Sequence, residues 1–154
     1  MENAERINLM SDPTQLAKQL GYAGLLPFVT LTLMLWFADA DFGGAVAMAL
    51  AGYGAVIASF LGGVHWGIAQ CLPANAARFH TLWGVVPSLM AWVSMIMPRS
   101  VQLPLIALVL LVCYVVDRRN YPRVGLAAWL PMRLRLSAVA ILSCVLGAAK
   151  VLSQ

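Results

Sequence analysis

The chain is poor in charge. Only 10% of its 154 residues are Asp, Glu, Lys or Arg, against about 25% in a soluble domain, so a water-facing surface cannot be covered. Carboxylates are scarcest: there are six, and none falls within an apolar span as read here. The Asp and Glu relay usual in proton pumps and proton-coupled transporters is therefore not expected. The three cysteines, Cys71, Cys113 and Cys144, are widely spaced. They form neither a disulfide framework nor a CxxC metal pattern, and the two inside apolar spans read as small hydrophobes. His65, Cys71 and His80 match no metal or haem ligand spacing, and two of the three are expected to face water or headgroups, so no cofactor is expected. No Ser–His–Asp or Cys–His order stands in a supporting context, and no enzyme is expected. The net charge of +4 is too small and scattered for nucleic acid. Residues 1–19 lack the basic start and apolar core of a cleavable signal.

What the chain has is apolar length. Hydrophobic residues make up 62% of it and its mean hydropathy is +0.83. This composition reads as an all-α integral membrane protein, one domain of five spans at about 20–38, 43–69, 81–97, 101–116 and 135–152, behind a polar tail over 1–19. In that tail Asp12, Pro13 and Gln15 mark a helix start. Gly21, Gly24 and Pro27 predict a kink or loosened turn in the first span, and Asp39-Ala40-Asp41 reads as a tight turn. Gly43 to Ala69 gives 27 residues, about 40 Å of helix for an apolar core of about 30 Å, so this second span must tilt or protrude. The segment after Asp117-Arg118-Arg119 reads as interfacial. No repeat is visible, and five spans do not make a complete inverted-repeat transporter.

Charge placement gives an orientation. Arg6, Lys18, Arg78, Arg118, Arg119, Arg123, Arg133 and Arg135 lie on one side of a five-span chain, with Arg99 and Lys150 on the other. By the positive-inside rule the N-terminus is inside and the C-terminus outside.

The second span organises the rest. Gly43, Ala47, Ala51, Ala55, Ser59, Gly63 and Gly67 recur at every fourth position and form a slowly winding small-residue ridge suited to close helix packing. His65 points away from the Gly63/Gly67 groove and shares its face with Gly54, Ala58 and Leu61. An imidazole at membrane depth marks either a site or a side chain that only hydrogen-bonds a neighbouring carbonyl or headgroup. Asp117, Arg133 and Arg135 fall at a similar depth on other spans, with Arg78 nearby. Together with His65 and Trp66 they are the candidate lipid or ligand site, since guanidinium groups grip phosphate. The plainer alternatives are topology charges that snorkel, with Asp117 pairing one of the arginines, and, for Trp66, Trp83 and Trp129, interface anchors.

Four stretches also carry a resemblance: LGYAGLLPF (Leu20–Phe28), SFLGGVHWGIA (Ser59–Ala69), LWGVVPSLMAW (Leu82–Trp92) and AWLPMRLRLS (Ala128–Ser137). In this order they resemble the transmembrane protein 69-like family, small multi-span proteins of bacteria and mitochondria forming a domain of unknown function. The resemblance implies a bacterial inner membrane and supplies no activity. The residues themselves suggest an accessory or assembly component of a larger membrane complex, or a homo-oligomer, with an inner-leaflet lipid site. The alternative is a binder or carrier of a quinone or lipid with His65 at its polar head.

Overall fold

The computed structural model describes residues 13–37 and 39–153. Asp12, Arg6 and Ala38, read above as a helix cap, a topology charge and a span end, lie outside them. The described residues form helices α1 (Pro13–Ala23), α2 (Leu26–Phe37), α3 (Ala40–Gln70), α4 (Ala74–Trp83), α5 (Val86–Met95), α6 (Arg99–Asn120) and α7 (Leu130–Leu152), with 3-10 turns at Tyr121–Val124 and Ala127–Trp129. No strand occurs among them. Four stretches are long and apolar enough to cross a membrane: Thr14–Phe37, Phe42–Gln70, Arg99–Val124 and Ala127–Leu152.

The expected third span is instead two ten-residue helices, α4 and α5, broken at Gly84 and Val85. Pro87 opens α5 without an N–H to offer the preceding turn. The pair nevertheless carries the chain from one end of the bundle to the other. Gly44 lies under the Arg99 guanidinium and Gly54 against Ile106, while His65 is bonded to Asp117. α3 and α6 thus run the same way, and α4–α5 makes the return between them.

Local chemistry sets the helix ends. Asp39 caps α3, its carboxylate accepting the Phe42 N–H at 3.0 Å. Asp is a favoured N-cap, so the expected turn at 39–41 becomes the cap and first turn of a helix that starts at Ala40 rather than Gly43. The predicted loosening of the first span falls at Gly24–Leu25, where the Tyr53 hydroxyl donates to the Gly24 carbonyl at 2.8 Å. At the second break the Trp66 indole donates to the Thr81 carbonyl at 2.9 Å. Gln102 closes the C-terminal end of α5, donating to the Met95 and Met97 carbonyls at 3.1 and 3.0 Å. Backbone carbonyls freed inside an apolar medium need such partners.

The small-residue ridge divides along its length. Gly43, Ala47 and Ala51 are buried and Ala55 is half-buried, but Ser59, Gly63 and Gly67 are exposed. A methyl group at Gly63 or Gly67 would meet open space. Each fourth residue overshoots a turn by about 40°, so the ridge rotates out of the interior as it rises. Close packing passes to the His65 face, where Gly54, Ala58, Leu61 and Gly62 are buried. A Cβ at Gly62 would collide with the Gly84 carbonyl oxygen. The apolar core lies below this level, with Phe28, Leu35, Leu50, Leu103, Ile106 and Leu110 almost fully enclosed.

Candidate functional site

At the end of the bundle where α3 finishes, three helices bring together His65, His80 and Asp117, the histidines and the carboxylate buried among the described residues. α3 supplies His65, α4 supplies His80 and α6 supplies Asp117. Arg133, from the first turn of α7, closes the group. α6 runs through Asp117 to Asn120 rather than stopping near Val116. The carboxylate read from sequence as the end of a span therefore sits inside a helix, with 1% of its surface exposed.

The four side chains form one continuous line. His65 Nε2 lies 2.9 Å from Asp117 Oδ1, and His65 Nδ1 lies 2.8 Å from His80 Nδ1. Arg133 donates to the other carboxylate oxygen, Oδ2, through Nε at 2.9 Å and also through Nη2. Asp117 accepts from a guanidinium on one oxygen and so acts as a carboxylate toward His65 on the other. The hydrogen-bond network then sets the tautomers. With both imidazoles neutral, His65 carries its proton on Nε2 and offers the bare Nδ1 to the Nδ1–H of His80. His80 in turn presents a bare Nε2. The buried charge is compensated within the group, as an interior ion pair requires. The rings of Phe79, Trp83 and Tyr121 stand around His65 at centroid distances of 6.4, 6.4 and 6.2 Å.

His80 is 5% exposed, and its remaining surface opens into a cleft of about 560 Å³. The walls are apolar (Leu72, Ala76, Phe79, Val116, Val124), and Arg119, Asn120 and Arg123 add polar groups. Its size is within the range of ordinary ligand sites, about 300–1,000 Å³. Gly125, in the left-handed region at φ 77°, turns the chain just beyond the cleft wall.

Of the residues singled out from sequence, His65, Asp117 and Arg133 meet. Arg135 does not join them; it reaches the Tyr22 hydroxyl at 3.4 Å on an exposed face. Trp66 is half exposed and clamps α4 through Thr81 instead. Cys71 is exposed and apart, whereas His80, expected toward water or headgroups, is buried. His80, Arg119 and Arg123 are the members that sequence reasoning missed. A signal for His80 was present: His65 is seven residues before Leu72 and His80 seven after Pro73, so a bend at Leu72–Pro73 sets them opposite each other. Arg119 and Arg123 had none, because a cleft arginine and a topology arginine read alike.

Comparison with known proteins agrees with this architecture without naming a chemistry. Residues 13–149 match the family described as "Protein of unknown function (DUF3429)". Transmembrane protein 69 of Xenopus tropicalis is 38% identical over 92 residues. That segment is 58% of this chain and 36% of the frog protein, so the likeness spans little more than a third of the relative. No solved structure matches the chain. A family match over almost the whole described length, on a bundle of apolar helices, means that the chain belongs to the DUF3429 family, the transmembrane protein 69-like proteins its motifs resemble.

Proposed function

We propose that the protein is a five-span component of the bacterial inner membrane that holds an anionic lipid headgroup at its arginine-rich, cytoplasmic end and serves a larger membrane assembly rather than acting as an enzyme. The return path of α4–α5 supports a fifth crossing. Lys18, Arg78, Arg118, Arg119, Arg123, Arg133 and Arg135 share one end of the bundle, opposite Arg99 and Lys150, which supports a cytoplasmic N-terminus. The outward Ser59, Gly63 and Gly67, where another helix can approach closely, support the assembly role. The observation that carries the lipid reading is the cleft, where Arg119 and Arg123 stand over apolar walls. Guanidinium groups above an apolar surface match a phosphate above acyl chains.

The test is native mass spectrometry of gently extracted protein, wild type against the double variant Arg119→Gln and Arg123→Gln. Wild type should retain anionic phospholipid and the double variant should lose most of it. Equal retention would remove the headgroup site. The apolar walls, with Arg119, Asn120 and Arg123 as donors, favour one alternative occupant, a carbonyl-bearing isoprenoid quinone. Extraction of a quinone in place of phospholipid would select it.

A further inference from the structure

The direction of the hydrogen-bond line narrows what the cleft can take, if the lipid-headgroup reading holds. With both imidazoles neutral, Asp117 orients His65 and His65 orients His80, so the ring nitrogen left to His80 at the cleft wall is an acceptor. No buried side-chain nitrogen or oxygen lacks a partner among the described residues, so this unpartnered nitrogen is not sealed in. The cleft also holds Arg119 and Arg123, which only donate. A ligand satisfying both must combine anionic oxygens with an acidic O–H.

We infer that the cleft binds a phosphate monoester, free or as a lipid headgroup, whose anionic oxygens take Arg119 and Arg123 while its remaining P–O–H donates to Nε2 of His80. A phosphate diester with no hydroxyl or amine in its headgroup has anionic oxygens and no proton to give, so it meets the arginines and sets an oxygen lone pair against a nitrogen lone pair. A monoester in neutral water is largely without its second proton, which leaves near pH 6. Binding therefore takes up one proton, shared between a terminal phosphate oxygen and His80. No bond other than O–H and N–H changes. The groups acting on this proton are His65 from α3, with Asp117 and Arg133 behind it, and Tyr121 beside its ring. Arg119 and Arg123 face it across the cleft from α6 and the following turn, and Arg78 lies on its own helix.

The experiment uses the full chain in nanodiscs, reading retention of phosphatidic acid (monoester) against phosphatidylmethanol (a diester with no O–H or N–H in its headgroup). Soluble glycerol phosphate is the competitor. Phosphatidic acid should be preferred about tenfold, the worth of one hydrogen bond to a charged group. That preference should grow between about pH 8 and about pH 6 as the proton becomes available, while phosphatidylmethanol binding stays flat. Displacement by glycerol phosphate identifies a site for the free monoester, and resistance to it a site that needs the acyl chains; both carry the inference. Asp117→Asn turns its amide N–H toward His65 and reverses the line, so that His80 offers an N–H and the preference falls to near unity. The wild-type comparison stands even where that variant does not fold. Equal, pH-independent retention of the two lipids, both lost with Arg119→Gln and Arg123→Gln, would overturn the monoester inference and leave the headgroup site standing. Retention of neither lipid would remove both.

Discussion

The two halves of α3 are held in opposite ways. Toward Asp39, Val46, Ala47, Leu50 and Ala51 are buried among apolar side chains, and Gly147 of α7 lies against Leu50. Toward Gln70 the enclosed polar residue is His65, fixed by two hydrogen bonds to side chains of α4 and α6. The apolar half is bound by many weak contacts, each replaceable by a neighbour of similar volume. The polar half is a line in which every member satisfies another. Losing one member leaves a charge or a donor unpaired in a medium that cannot solvate it.

The comparison breaks most sharply at Asp117. Replacing it by Ala strands both Arg133 and the Nε2–H of His65, and should cost about 3–5 kcal/mol, read as a collapse of thermal stability in detergent. An Asp117→Ala protein as stable as wild type would mean that the polar half is ornamental. Next comes Gly62→Leu, which drives a side chain into the Gly84 carbonyl and should cost at least about 1–3 kcal/mol, measured by the same melt. Tyr53→Phe, in the apolar half, removes the single bond to the Gly24 carbonyl and should cost about 1 kcal/mol. Amide exchange should quicken around Gly24 first. Smallest is Gly63→Leu, one residue from Gly62 but facing open space, with a stability change within about 0.5 kcal/mol. Loss of an oligomer or of a co-purifying subunit in that variant, with the melt unchanged, would locate the assembly surface.

How much of this was legible follows the same division. Apolar length predicted four long helices but not the break at Gly84–Val85 in the expected third span, and Gly21, Gly24 and Pro27 predicted the break in the first span, because backbone chemistry is local. The His65 face, with Gly54, Ala58 and Leu61, was readable from helical angle alone. The ridge was harder. Its period was correct, but at 40° a step a row of small residues cannot stay on one side of a long helix, and the sequence does not say where it leaves. Asp117 was read as the end of a span because a carboxylate is costly in lipid. Only the meeting with Arg133, sixteen residues on, lets the helix continue through it. That Asp117 pairs with an arginine was expected from the sequence; which arginine it meets is not written in a local window.

The bond between Tyr53 and Gly24 has a consequence for how the chain is made. The ribosome delivers the first span while Tyr53 is still inside the exit tunnel, so the broken turn at Gly24 enters the translocon with a carbonyl that nothing in its own helix serves. Releasing it into lipid at that moment would cost several kcal/mol, whereas holding it against the translocon wall until α3 emerges costs little. The first two spans should therefore leave as a pair, and a stalled nascent chain should crosslink to lipid through its first span only once Tyr53 has cleared the ribosome.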